Sequence, residues 1–142
     1  MPKLFDIHSH INFNAFKDDG DEVIKRTVEA DVWTILVGSQ YDTSKRAVAY
    51  AEKYKKGIYA AVGLHPFHLI EQKIDLNKEN GVDDTAHQGN RVLSSFKTRA
   101  EKFDFEKYLD LANSSAKVAA IGECGLDYCK TQSSKLQLKT KN

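Results

Sequence analysis

The chain has 142 residues, enough for one domain with a real core and too few for two ordinary ones. Apolar residues make up 41% and charged residues 29%, an ordinary globular balance, and the net charge of +1 gives no argument of its own for a nucleic-acid or membrane partner. No apolar run approaches a membrane span, and Met1-Pro2-Lys3-Leu4 leads straight into a strand pattern without a signal-peptide core, so a cytoplasmic location is the expectation.

In chain order, Lys3 to Ile7 reads as a first strand. Asp21 to Ala30 reads as a helix with Val23, Thr27 and Ala30 on one side. Trp33 to Gly38 is a nearly continuous apolar strand. A second helix runs from a cap at Asp42 or Thr43 to Lys55, with Ala47, Tyr50, Ala51 and Tyr54 as its apolar stripe. Gly57 closes it, and Ile58 to Gly63 is the third strand. A third helix starts at an Asp104 cap and is expected to bury Phe105, Tyr108, Leu109 and Ala112. Val118 to Gly122 is the fourth strand. Apolar strands that alternate with helices predict parallel βαβ units, buried on both faces of the sheet.

Two stretches break the rhythm. From about 71 to 99 the chain is polar and without clear period, as a surface insertion or lid would be, and Leu93 and Phe96 suggest one helical turn there. The end, 131–142, is a basic tail or an aborted fourth helix. Cys124 and Cys129 match neither a redox pair nor a zinc knuckle and read as reduced thiols, with Cys124 pointing away from Glu123 if the strand continues.

Chemistry concentrates in Phe5-Asp6-Ile7-His8-Ser9-His10. Residues i and i+2 of a strand point to one side, so His8 and His10 can aim both imidazoles at one ion. Glu123 follows the fourth strand between Gly122 and Gly125, which predicts a tight turn there. A histidine pair after one strand and a carboxylate after another suit a metal centre at the strand-end face of an α/β fold.

Together with Ala61-Val62-Gly63-Leu64-His65-Pro66 and Ala120-Ile121-Gly122-Glu123-Cys124-Gly125-Leu126-Asp127-Tyr128, that opening segment resembles the N-terminal half of the TatD-family metal-dependent deoxyribonucleases, within the amidohydrolase-like superfamily. The resemblance covers roughly residues 1–130. It implies an α/β fold of the (β/α) TIM-barrel type, here a half-barrel of about four βα units with parallel strands. It further implies two divalent metals, with His8 and His10 as ligands of one, Glu123 as the catalytic carboxylate bridging both, and His65 facing a substrate phosphate. Asp6 and Asp127 match positions near the family site without a stated role. His68 and His87 match no ligand and are expected at the surface.

Phosphodiester hydrolysis requires an activated water and neutralised phosphoryl oxygens, which a metal pair supplies. Imidazoles favour Zn, Mn or Fe, and a carboxylate bridge admits Mg. Nothing in the sequence suggests a base-stacking platform. The implied partner is DNA or another phosphodiester, with no membrane. A full barrel takes roughly 200–250 residues, and the family's later ligands, two histidines and an aspartate, have no counterpart here. The open sheet predicts a homo-oligomer or a complementary C-terminal half. A non-catalytic partner-binding fragment and another amidohydrolase-like metallohydrolase are the alternatives.

Overall fold

The computed structural model describes residues 1–71, 73–75, 95–97 and 99–126. Strand β1 (Leu4–Ser9) leads to helix α1 (Gly20–Glu29), β2 (Val32–Val37), α2 (Tyr41–Lys53) and β3 (Ile58–Val62). Short strands β4 (Lys73–Asp75) and β5 (Ser95–Lys97) follow, then α3 (Phe105–Asn113) and β6 (Val118–Ile121). Strands β1, β2, β3 and β6 form one all-parallel sheet in that order. This is the α/β arrangement of a partial TIM-type barrel. No described helix is long and apolar enough to cross a membrane.

The core lies between the central strands and the helices. Leu36, Ile58, Ala60 and Val62 pack with Ile24 of α1, Ala47, Val48 and Ala51 of α2 and Leu111 of α3. Each fully buried Ile, Leu or Val contributes roughly 1.5–3 kcal/mol. In α1 the buried residues are Gly20 and Ile24, while Val23 and Thr27 are half-buried and Ala30 is exposed at the end of the helix. Helix α2 begins one to two residues earlier than its expected cap. The Thr43 hydroxyl accepts from the backbone N–H groups of Ser39 and Gln40, both at 2.9 Å, and donates to the Gln40 carbonyl. Thr43 thus ties off the helix start from inside the first turn. Gly57 has φ of +86° in the turn into β3, with the Trp33 ring against it.

Burial on both faces holds for β2 and β3 but not for the flanking strands. β1 and β6 are the edges of an open sheet, and Leu4, Ile7 and Ile121 are each about two-thirds exposed. Helix α3 departs from its expected stripe for a related reason. Asp104 caps it by accepting from the Lys107 N–H, as expected, and Tyr108 is buried, but the second buried residue is Leu111. Phe105 and Leu109 are exposed and line an apolar cleft of about 420 Å³ together with Ile121, Leu69 and Phe103. A helical period marks apolar positions but not whether this chain supplies their partner.

In the insertion, Phe96 lies in β5, which pairs antiparallel with β4, so its backbone is extended and not the expected helical turn. Leu93, His87, Asp127, Cys129 and the tail lie outside the described residues.

Candidate metal centre

β1 runs to Ser9, two residues past its expected end, so His8 lies inside the strand and His10 just beyond it. The β1–β2 register shifts between Asp6 and Ser9. His8 and His10 Nε2 atoms approach to 3.2 Å. Glu123 meets them from β6, with Oε1 3.3 Å from His8 Nε2 and Oε2 3.9 Å from His10 Nε2. Potential ligand atoms of all three residues lie within 4.8 Å of one another.

These separations suit one shared ion. Two donors, each roughly 2.0–2.1 Å from a zinc-sized ion and tetrahedrally disposed, lie about 3.3 Å apart. The donor chemistry also fits, with two imidazoles and a carboxylate. His10 Nδ1 lies 3.1 Å from the Val37 carbonyl. That contact places the ring proton on Nδ1 and leaves the Nε2 lone pair to the shared point, the usual outer support of a ligand histidine. Asp6, without a role at the sequence level, accepts the His8 backbone N–H at 3.0 Å through Oδ1 and braces the ligand-bearing turn.

The meeting of β1 and β6 is itself informative. They are opposite edges of the sheet, separated by β2 and β3. In a flat sheet their axes would stand about 14 Å apart. Contact at 3.3 Å between their side chains requires the sheet to curl at its carboxyl end. Gly63 permits the final approach. A Cβ there would lie 2.6 Å from the Gly122 carbonyl carbon and 2.8 Å from the Glu123 carbonyl oxygen. Gly122 N–H donates to Val62 O at 2.9 Å and Glu123 N–H to Gly38 O at 3.1 Å, which seats the carboxylate over the sheet end.

The other expected positions are more dispersed. His65 is half-buried and caps the short 3₁₀ turn Pro66–Leu69, its Nδ1 accepting the Phe67 N–H at 3.1 Å. Its own N–H bonds the Ser39 carbonyl at 2.9 Å, so it stands beside the end of β2 but outside the three-residue cluster. His68 is only partly at the surface. It is half-buried with Nε2 3.3 Å from Ser39 Oγ, and burial, then the neighbouring His65, pushes its pKa below the ordinary histidine value. Cys124 lies past the end of β6, exposed, at the rim of the apolar cleft. The sequence assigns no role at the site to the Val37 carbonyl, Gly63 or Phe13, whose ring lies 4.3 Å from that of His10. Of these only Gly63 carried a residue-type signal.

The family model for TatD related DNase matches residues 5–141. The chain is 29% identical to the 3'-5' ssDNA/RNA exonuclease TatD of Pantoea ananatis, over 94% of this chain and 41% of that protein. It is 33% identical to the uncharacterized metal-dependent hydrolase YabD of Bacillus subtilis, over 88% of this chain and 38% of that one. It is 30% identical to the uncharacterized metal-dependent hydrolase MJ1582 of Methanocaldococcus jannaschii, over 88% and 52% respectively. The chain therefore spans between about two-fifths and one-half of the length of these curated relatives.

Proposed function

Because the chain belongs to the TatD-related DNase family, we propose that it supplies the first half of a metal-dependent phosphodiesterase site acting on DNA. The observation that carries this reading is the convergence of His8, His10 and Glu123 from opposite sheet edges to one ion-sized point. His8 and His10 would hold one divalent ion, Zn, Mn or Mg, and the Glu123 carboxylate would help hold it together with a second. Divalent ions bound there would activate water and neutralise phosphoryl oxygens.

The protein's own groups set the rest. The Phe67 N–H donates to His65 Nδ1, which leaves the ring proton to Nε2. That proton is available to a phosphate oxygen. Val37 holds His10 in the ligand tautomer, and Asp6 braces the backbone of His8.

Turnover requires a complementary C-terminal half or a second copy, which completes the ligand set and covers the open edges. The exposure of Leu4, Ile7 and Ile121 on those edges supports this. A cleavage assay on labelled single-stranded DNA with Mn, Zn or Mg tests it. The chain alone should show little turnover. Adding the C-terminal half of a full-length relative should raise it, and His8→Ala should abolish the gain. Robust turnover by a clean monomer would refute the requirement for a second half. A gain indifferent to His8→Ala would refute the site.

A further inference from the structure

Phe13, whose ring lies 4.3 Å from that of His10, also lines a cleft that the chemistry above does not use. Its walls include Phe13, Asn14, Ser39, Arg46, His68 and Arg99, and it encloses about 480 Å³. A second cleft of about 480 Å³ shares Asn14, Arg46 and Arg99 and adds Lys45 and Asp42. Each falls within the roughly 300–1,000 Å³ of small-ligand sites.

Three cations face one carboxylate across this pair of clefts. Arg99 Nη2 lies 3.4 Å from Asp42 Oδ2, but both side chains are about two-thirds exposed, and such surface pairs are worth little. Among the described residues Arg46 meets a neutral group, donating from Nη1 to the Asn14 side-chain oxygen. Its Nε is buried without a partner among the described residues, and so is His68 Nδ1 in the same wall. Arg46 Nε always carries a proton, so a bound acceptor would satisfy it. At the start of α2 the Ser39 and Gln40 N–H groups are taken by the Thr43 hydroxyl and the Tyr41 N–H by Glu101. Phe13 supplies an aromatic wall between the cations and His10, half-buried and tilted 33° to the imidazole.

We propose that this cleft binds the phosphodiester backbone of a single-stranded nucleic acid, with phosphates on Arg46 and Arg99 and a base against Phe13. Cations that track the backbone beside an aromatic face are how proteins hold single strands without reading sequence. The proposal rests on the nuclease reading for its ligand class. It is separable from that reading, because the cleft residues are not metal donors.

The test is fluorescence anisotropy of a short labelled oligothymidylate without terminal phosphates, with the full chain in EDTA, so that neither metal nor cleavage contributes. Arg46→Gln with Arg99→Gln should weaken binding about tenfold or more and make the salt dependence shallower by about 1.4, at roughly 0.7 per lost contact. Lys25→Gln with Arg26→Gln removes the same charge from the exposed face of α1 and should change affinity less than twofold. Arg46→Lys should retain most of the salt dependence, and circular dichroism melting checks that each variant is folded. Equal losses in the Lys25/Arg26 pair would overturn the site. So would parental binding by the folded Arg46/Arg99 pair. Saturable binding of inorganic phosphate without any binding of the oligonucleotide would overturn the phosphodiester assignment.

Discussion

Replacing Gly63 by alanine tests how the carboxylate reaches the histidines. The added Cβ would stand 2.6 Å from the Gly122 carbonyl carbon, where ordinary contact begins near 3.4 Å. The obstacle is backbone, so β3 and the turn after β6 must separate by about 0.8 Å, and overpacking of this kind costs about 1–3 kcal/mol. Metal donors tolerate displacements of only about 0.2 Å. Glu123 is therefore carried out of reach of an ion held by His8 and His10, although no ligand has been changed. Calorimetric titration with Mn or Zn should show affinity lower by about 10–100-fold, the range expected when support of a ligand is lost. Gly57→Ala is the control. It strains a residue at φ +86° at the opposite end of β3 and should cost about 1–2 kcal/mol in urea unfolding while leaving metal affinity unchanged. Parental metal affinity in a folded Gly63→Ala protein would refute the reasoning. An equal loss in Gly57→Ala would show that general destabilisation is responsible.

Other perturbations separate the remaining groups. His8→Ala and Glu123→Gln should each lower metal affinity beyond the roughly 10–100-fold cost of an outer-shell change, while His87→Ala should leave the titration unchanged. Tyr108 donates to Glu101 Oε1 at 2.7 Å, so Tyr108→Phe should cost about 1.5–3 kcal/mol in urea unfolding. Burial first, then that same bond to Glu101, raises the Tyr108 pKa, so its contribution is present below about pH 10 and is lost only at higher pH. His68 behaves in the opposite sense. Its pKa is lowered in the fold, the unfolded chain binds its proton more readily, and its contribution, full above about pH 6.5, fades as pH falls through the folded value. His68→Gln should therefore flatten the acid-side fall in melting temperature, and an unchanged slope would contradict the assignment.

The parallel order and the three ligand candidates were legible because both depend on local pattern. Apolar runs mark β2 and β3, period two aligns His8 with His10, and a carboxylate at a strand end announces Glu123. What escaped depends on distant residues. Ile121 and Leu4 look like core residues by composition and are exposed because their strands are edges. Phe105 and Leu109 obey a helical period yet find no partner among the described residues that buries them. His68 matches no motif, and its burial comes from folding against Ser39. The Val37 carbonyl that orients His10 is backbone, which any residue would supply. Arg46 and Arg99 come together only through the tertiary fold, far apart in the chain.

The most direct test of the metal centre is anomalous diffraction from crystals grown with Mn or Zn, recorded on both sides of the metal's absorption edge. The structure predicts a peak bounded by His8 Nε2, His10 Nε2 and the Glu123 carboxylate, at roughly 2.0–2.2 Å from each if the ion is zinc. No peak at that point, with the three side chains in their present positions, would contradict the claim that they form a metal site.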